Sequence, residues 1–491
     1  MKIYKYIGPW LLILALSISS CEDSVLNLTP ESSLTELNFY KKSKDINGAV
    51  LGIYNRYQSR KQRDWTVMEM PTDNIHRTGY FNIGGLDELN TLAFSSENQL
   101  FGSFWVDTYN GIFRANAVLE NIDTPTDYAT GEKEKFTGEA KFMRALFYFD
   151  LVRMFGGVPK ITSLLSVEES RSTPRASEEE IYALVIEDLK AAITLLPAKE
   201  GTVNGRASKS AAVGLLGKVY VYRKDWANAK TYLDMMLGYG YDLQADFASL
   251  WKEETEDNKE IIFTMKYIGG TNGSTISTDF LPYFGVTGIA ASGGENVFPS
   301  WSMMKKFLTA DSRKKATFTE YWKSPKSPAD APENWYPYIS KFAVPHTVNS
   351  SGLDIPVLRY ADILLLRAET LYALNQPDLA LAELNKVRAR AFKNTTFNYV
   401  AADISTPEKF TDKLLLERQL EFVLENERWF DLVRTGRFMS VLAQVEWGYN
   451  PVTKEPQTVT LSPKAYYKYF PIPNNQIQLA NKGVLKQNEG Y

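Results

Sequence analysis

The sequence predicts a mostly α-helical protein with one loop-rich insertion that carries a small amount of β structure. Apolar residues recur at intervals near 3.6 residues in several segments, most clearly within residues 354–438. Between about residues 266 and 345 the composition changes to Gly, Ser, Thr, Asn and Pro, with aromatic residues interspersed. We therefore expect a helical scaffold from which a single long insertion emerges, and such insertions are often functional.

Length and charge restrict the class of protein. A chain of 491 residues with 44% hydrophobic residues can bury a large core. Its 55 basic and 58 acidic side chains give a net charge of −3, so the excess of positive charge typical of nucleic-acid-binding proteins is missing. The 28 Tyr, 26 Phe and 10 Trp exceed the needs of a core, so we expect some of these rings to face solvent or ligand.

Residues suited to metal binding or nucleophilic catalysis are scarce. The two histidines are His76 and His346, and Cys21 is the one cysteine. Zinc sites built from Cys and His are therefore poorly supported, as are Cys/His and Ser/His/Asp catalytic arrangements. We expect no metal, no cofactor and no catalytic residue.

The first 20 residues have the pattern of an export signal. Lys2 and Lys5 precede an apolar stretch at residues 10–18, about half of the ~20 residues that a bilayer crossing requires. Cys21 follows Ile-Ser-Ser, a sequence that looks like a lipobox, so we interpret it as the lipidated first residue of the mature protein. Residues 21–33 would form a polar tether. The alternative is an ordinary secretory signal that ends near a free cysteine.

The helices are predicted in order along the chain. A first helix lies within residues 34–57, and a second block begins at Phe104 and pairs with residues 133–155. Ser177 and Glu180 form a capping box at the start of the next helix, which Pro197 ends.

A repeat signal follows at residues 211–237. Its small and bulky residues fall where a tetratricopeptide unit places them, and a similar set recurs about 150 residues later. The two sets are Leu216, Gly217, Tyr220, Trp226, Ala229 and Leu233, and Ala368, Leu371, Tyr372, Ala380 and Leu384. We expect four tetratricopeptide-like helix pairs, near residues 104–155, 177–222, 212–237 and 359–438, which stack as a scaffold over about residues 104–237 and 359–438.

The last pair contains the most regular pattern in the chain. A turn at Asn375-Gln376-Pro377 divides its first half into two helices, and its second half is predicted as one charged helix that Gly436 ends. Glu417, Glu421 and Glu425 lie one turn apart on that helix. A glycoside hydrolase needs two carboxyl groups facing each other across a substrate, so we favour ion pairs with Arg418 or Arg428 over an acid/base set.

These motifs resemble the SusD/RagB family. The matching segments are RYADILLLRAE, LNKVRARA and ERQLEFVLENERWFDLVRTGRF, together with EAKFMRALFYFDLVRMFGGVP at residues 139–159 and YFPIPNNQIQLANKGVLKQNEGY at residues 469–491. The resemblance covers essentially the whole chain and is weakest at about residues 266–346. It implies one SusD-like domain over residues 34–491 with the SusD-like α-helical fold.

The resemblance also implies a function. Members of this family are non-enzymatic surface lipoproteins that capture oligosaccharides or polysaccharides. They hand them to a TonB-dependent, SusC-like transporter on the outer face of the outer membrane. Two alternatives remain open: an envelope scaffold that binds only protein through its helix pairs, and a lipid-anchored glycosidase.

The first candidate site is the turn at residues 71–81. In several SusD-like proteins a Pro-Thr-Asp turn precedes an aromatic residue that stacks on the glycan, and its Asp binds sugar hydroxyls. Asp73 and Asn74 match that turn, whereas Tyr80 and Phe81 stand in place of the usual Trp. We include His76 in this candidate site. The alternative is that Asp73 caps a turn and Tyr80 belongs to the core.

The second candidate site lies in the insertion. Sugar binding requires flat apolar rings together with a few polar partners, and the loops at Tyr283-Phe284 and Trp335-Tyr336 can supply both. Trp301 is a further candidate in the insertion, but it follows Pro299-Ser300 and begins a helix, so the alternative is that it packs against the core.

Overall fold

The structure is a computed structural model that describes residues 39–79, 83–199 and 205–491. The predicted leader, Cys21, Tyr80 and Phe81 lie outside the described residues.

The helices are α1 (Ser43–Lys61), α2 (Trp65–Met68), α3 (Leu86–Asn90), α4 (Gln99–Asn121), α5 (Glu132–Phe155), α6 (Val167–Ser172), α7 (Glu178–Leu195), α8 (Lys209–Tyr222), α9 (Trp226–Met236), α10 (Ile276–Asp279), α11 (Trp301–Met304), α12 (Arg313–Thr317), α13 (Tyr360–Ala373), α14 (Pro377–Phe392), α15 (Pro407–Glu421), α16 (Arg428–Arg434), α17 (Phe438–Leu442) and α18 (Asn474–Leu479). The strands are β1 (Ile75–Arg77), β2 (Ile261–Met265), β3 (Val297–Pro299), β4 (Phe318–Trp322), β5 (Asn334–Ile339), β6 (Ile355–Arg359), β7 (Gln444–Asn450) and β8 (Glu455–Thr460).

The long helices pack side by side in one series. Contacts run from α1 to α4, α5, α7, α8, α9, α13 and α14, and α15 packs against both α13 and α14. Each helix buries its apolar stripe against its neighbours, because no single pair can cover its own apolar face. The prediction of a mostly α-helical protein built on helix pairs is confirmed, whereas the tetratricopeptide-like geometry of those pairs stays a prediction.

Small residues permit the closest helix contacts. A Cβ atom added to Gly217 of α8 would lie 2.8 Å from Leu233 Cδ2 of α9, so a larger residue would separate these two helices. Gly111 of α4 faces the ring of Phe147 of α5 in the same way. The small and bulky residues that the repeat signal identified at Gly217 and Leu233 therefore meet in space.

The predicted helix boundaries follow local chemistry. The Ser177 side chain accepts a hydrogen bond from the Glu180 N–H, and the Glu180 carboxylate accepts one from the Ser177 N–H, which confirms the capping box. That helix ends at Leu195, two residues before Pro197. The predicted turn also divides α13 from α14, with Pro377 at the first position of the new helix.

The prediction of one helix up to Gly436 is wrong. Helix α15 ends at Glu421 and α16 begins at Arg428, and Leu424 and Asn426 between them have φ values of 61° and 70°. Tertiary partners use the backbone groups that would continue the helix. Lys341 Nζ donates to the Val423 carbonyl at 2.8 Å, and the Leu424 N–H donates to Glu69 Oε1 at 2.9 Å. Gly436, with φ of 72°, does follow the end of α16.

The three glutamates of α15 and the following turn form buried ion pairs. Arg313 lies 2.7 Å from Glu417 and 3.2 Å from Glu421, and Arg359 lies 2.7 Å from Glu425. The interpretation as ion pairs is confirmed, but the partners differ from those expected. Arg418 instead contacts Asp362 and Asp431, each at 2.7 Å, and Arg428 contacts Asp73.

The β structure consists of short antiparallel pairs. Within the described residues, β1 pairs with β3, β2 with β6, β4 with β5, and β7 with β8. The insertion contains short helices and strands separated by irregular loops, as its composition predicts. No helix in the described part of the chain has both the length and the apolar character required to span a bilayer.

Candidate functional site

Short strands and one short helix enclose an aromatic cleft with a volume of about 760 Å³. Residues of β1, β3, α11, β5 and the β7–β8 hairpin form its walls. The aromatic residues that line it are His76, Phe298, Trp301, Trp335, Tyr336, Trp447 and Tyr449. The polar residues that line it are Asn450, Thr453, Glu455 and Gln457. We refer to this feature as the aromatic cleft.

Strand pairing brings distant parts of the chain into the aromatic cleft. His76 of β1 pairs with Phe298 of β3, which joins the turn at residues 71–77 to the insertion. Ser300 follows β3 and caps α11, because its Oγ accepts a hydrogen bond from the Met303 N–H at 3.2 Å. That cap fixes the start of α11 and so places Trp301 in the wall of the cleft.

The rings contact one another in parallel and edge-on pairs. Trp301 stacks on Tyr449 with ring centroids 4.1 Å apart, and His76 lies parallel to Trp447 at 5.9 Å. The edge of Trp335 meets Tyr449, with centroids 5.7 Å apart. Such contacts hold each ring in a fixed orientation at the cleft surface. The rings are only partly buried, so they offer rigid apolar faces beside amide, hydroxyl and carboxylate groups.

His76 is uncharged in this environment at neutral pH. Burial lowers the pKa of its imidazole to about 4, although the hydrogen bond that Nδ1 donates to the Arg77 carbonyl at 3.1 Å opposes this change. Its ring therefore acts as a flat neutral surface against Trp447, and its unprotonated Nε2 is a hydrogen-bond acceptor.

Asp73 and Asn74 do not reach the cleft surface. Their exposed fractions are 2% and 0%. Asp73 accepts hydrogen bonds from Arg428, Lys306 and Gln419, and Asn74 donates to Glu69 Oε1 at 2.6 Å. The expected direct contact of these two side chains with a ligand is therefore contradicted by their burial.

The role of this turn is to position the wall of the cleft. The Ser300 N–H donates to the Asn74 carbonyl at 2.9 Å, and the Ser300 hydroxyl donates to the Asp73 carbonyl. The buried turn thus holds the residue that caps α11 and orients Trp301.

The other predicted site residues divide into two groups. Trp335 and Tyr336 line the aromatic cleft together with His76, whereas Tyr283 and Phe284 lie outside its lining. The latter two form an exposed pair with centroids 5.1 Å apart, and the ammonium group of Lys326 lies 4.3 Å from the ring of Phe284. The contribution of Tyr80 and Phe81 to the ligand site stays a prediction.

The cleft also contains three aromatic residues that were not predicted as site residues, namely Phe298, Trp447 and Tyr449. Trp447 and Tyr449 alternate within the sequence QVEWGYN, directly before the turn Pro451–Lys454, and this period of two indicates a strand with both rings on one face. That signal was available in the sequence. Trp301, a candidate with packing as the alternative, both contacts the core and lines the cleft.

The glutamates that could suggest a catalytic site, Glu417, Glu421 and Glu425, are paired with arginine side chains. Across residues 39–79, 83–199 and 205–491, no cluster of three or more His, Cys, Asp or Glu side chains is arranged to hold a metal ion. Glu455 is the one carboxylate among the described lining residues of the aromatic cleft.

A helical scaffold that presents an aromatic cleft on short strands combines a packed frame with a surface suited to ligand binding. Residues 314–491 match the family described as SusD family, and residues 26–221 match the family described as starch-binding associating with outer membrane. The chain belongs to the SusD/RagB family.

Individual relatives agree with this membership. A SusD-like protein of Formosa agariphila is 27% identical, over 91% of this chain and 94% of the relative. The starch-binding protein SusD of Bacteroides thetaiotaomicron is 23% identical, over 91% of this chain and 88% of the relative. A solved structure of a laminarin-binding SusD-like protein superposes with a TM-score of 0.75 at 25% identity, covering 92% of this chain and 100% of that chain.

Proposed function

We propose that this protein binds oligosaccharides or polysaccharides at the cell surface and that the aromatic cleft is the binding site. The observation that carries this proposal is the set of fixed, half-buried rings formed by Trp301, Trp335, Tyr336, Trp447 and Tyr449. A pyranose ring offers apolar C–H faces and a rim of hydroxyl groups. Flat aromatic faces bind the former, and Asn450, Thr453 and Gln457 can bind the latter.

The names of the relatives support the same ligand class. One is described as starch-binding and another as laminarin-binding, and both starch and laminarin are glucose polymers. These relatives share the family and the fold with this chain.

Hydrolysis is the less favoured function for this cleft. Retaining and inverting glycosidases both use two carboxyl groups across the scissile bond, and the described cleft lining supplies Glu455 alone. Glu417, Glu421 and Glu425 are engaged by arginines and a lysine in the interior. A function as a scaffold for protein alone would leave the ring cluster without a role.

Delivery to a transporter is a further part of the proposal. The leader and Cys21 support an acylated protein that is tethered to the outer face of the outer membrane. The family resemblance supports a SusC-like, TonB-dependent partner that receives the bound glycan.

Affinity gel electrophoresis and calorimetry against a polysaccharide panel test the proposal. We expect at least one glycan to bind wild-type protein without release of reducing ends. Release of reducing ends would instead indicate the glycosidase, and a protein that binds no polysaccharide but captures an envelope protein would indicate the scaffold.

A further inference from the structure

The charge of the aromatic cleft bears on the type of glycan that it accepts. The described lining residues include one carboxylate, Glu455, and neither lysine nor arginine. Glu455 is exposed and belongs to β8, at the end of the strand next to the turn. The described lining residues therefore contribute one negative charge and no positive charge.

Cationic groups on the elements that form the cleft are engaged elsewhere. Arg77 of β1 lies 3.1 Å from Asp87, and Lys305 pairs with Glu446. Lys306 lies 3.1 Å from the buried Asp73. Moving Lys306 to an anionic ligand would leave a buried carboxylate with one partner fewer, which is unfavourable.

Lys454 at the tip of the β7–β8 hairpin is also outside the cleft lining. Lys454 lies in the β7–β8 turn beside Glu455 in sequence, but it is not among the residues that line the cleft. The lining of the cleft therefore contains no cation among its described residues.

The aromatic rings themselves disfavour anions. The face of an aromatic ring carries the negative part of its quadrupole, which attracts cations and repels a carboxylate or sulfate held above it. Proteins that recognise such anions commonly use the planar fork of arginine. His76 is also neutral above about pH 5, because burial lowers its pKa to about 4. The cleft thus offers ring faces and neutral polar groups but no countercharge.

We infer that the aromatic cleft selects uncharged glycans and discriminates against glycans that carry carboxylate or sulfate groups along the chain. This inference rests on the proposed function, because it assumes that the cleft is the glycan-binding site. It names a ligand class that the family alone does not determine.

The test compares neutral and acidic polysaccharides on the full-length protein. Laminarin, starch, mannan, xyloglucan and inulin form the neutral set, and polygalacturonate, alginate and carrageenan form the acidic set. We expect binding within the neutral set, with an affinity that changes less than about twofold between low and high ionic strength, because no ion pair is screened. Acidic glycans should bind on the order of tenfold more weakly or not at all at low ionic strength.

A charge-reversal variant locates the discrimination in the cleft. Compared with wild type at low ionic strength, Glu455→Lys should bind acidic glycans several-fold more tightly relative to the neutral glycan. Glu254→Lys, at an exposed position outside the cleft lining, serves as the matched control and should leave both affinities unchanged.

Two outcomes separate this inference from the function on which it rests. Tight binding of an acidic glycan that is lost in Trp447→Ala would overturn the inference and leave glycan binding by the cleft standing. Failure of every glycan to bind would overturn the proposed function and the inference together.

Discussion

Arg428 forms a two-point ion pair with Asp73 across 355 positions of sequence. Its Nε donates to Oδ1 at 2.7 Å and its Nη2 donates to Oδ2 at 2.9 Å. The pair joins the start of α16 to the turn that leads into β1. Since the same turn binds Ser300 at the start of α11, this contact connects the helical scaffold to the wall of the aromatic cleft.

Asp73→Asn should destabilise the protein, because it leaves the Arg428 guanidinium buried with a neutral partner. Burial alone would raise the pKa of Asp73, but Arg428 and Lys306 outweigh burial and hold that pKa far below its usual range. Removing one charge of a buried pair costs about 3 to 5 kcal/mol in unfolding free energy. Denaturant titration measures the loss.

Asp330→Asn is the matched control, since Asp330 is exposed in the loop between β4 and β5. Its unfolding free energy should match that of wild type. An Asp73→Asn protein of unchanged stability that no longer binds glycan would return Asp73 to the role of a direct ligand contact.

Trp447→Ala should weaken glycan binding while the protein stays folded. The ring is half-buried in a hairpin at the cleft and lies against His76, so its loss removes a ligand-facing surface without opening the main core. One ring face contributes about 1 to 3 kcal/mol, which corresponds to about a five- to hundredfold loss of affinity by calorimetry. Trp335→Ala should behave similarly.

Phe113→Ala controls for the loss of an aromatic ring as such, because Phe113 is 55% exposed on α4 outside the cleft lining. Tyr283→Ala tests the exposed pair in the insertion, which we expect to contribute less than Trp447. Wild-type affinity in both Trp447→Ala and Trp335→Ala would place the glycan site outside the cleft.

Glu421→Gln should lower the stability of the protein and leave glycan binding intact. Glu421 accepts contacts from Arg313 at 3.2 Å and from Arg359 at 3.0 Å in the interior. The amide preserves the shape but leaves these guanidinium groups short of one negative charge, at a cost of about 3 kcal/mol. Thermal unfolding and calorimetry on the same sample measure both properties.

Glu134→Gln provides the comparison, since Glu134 is exposed in the first turn of α5. A Glu421→Gln protein with the wild-type melting temperature and no glycan affinity would move the binding site to α15.

His76 should make the protein less stable as the pH falls from about 6.5 to about 4. The folded pKa of about 4 lies below the ordinary value of 6.5, so the unfolded chain binds more protons than the folded chain in this range. The effect reaches roughly 2 to 3 kcal/mol at the acidic end. Neutral-glycan affinity should stay constant from about pH 6 to pH 8, because His76 remains uncharged.

The pH slope of His76→Gln isolates this contribution from the carboxylates that also titrate in acid. As the pH falls below 6.5, wild type should lose more unfolding free energy than His76→Gln, because the variant has no imidazole to protonate on unfolding. Parallel pH profiles for the two proteins would mean that His76 titrates normally in the folded state.

Cys21→Ala should release the protein from the membrane fraction. Lipidation of Cys21 would provide the acyl attachment, and the predicted signal alone would leave a secreted protein without an anchor. Fractionation of cells followed by immunoblotting measures the distribution, and Ser20→Ala is the neighbouring control. Persistent membrane retention of Cys21→Ala would require a different mode of attachment.

The sequence determined the features that depend on neighbours along the chain. Periodic apolar residues located the long helices, and Ser177, Glu180 and Pro197 set the ends of one of them through local hydrogen bonding and the missing proline N–H. Family motifs near both ends of the chain identified the fold class. Composition located the insertion, because loops tolerate Gly, Asn and Pro where helices do not.

The tertiary structure alone decided which side chains are solvent-accessible and which are buried as ion pairs. Asp73 looks like a ligand contact in the sequence, yet its carboxylate accepts hydrogen bonds from Arg428. This partner lies 355 residues away, so the residues next to Asp73 do not reveal it. The break after Glu421 has the same origin, because Glu69 and Lys341 bind the backbone there. Trp301 and Tyr449 become a single stacked surface only when an insertion and a C-terminal hairpin meet. Burial and long-range pairing are properties of the assembled core, and they cannot be read from residue type or spacing.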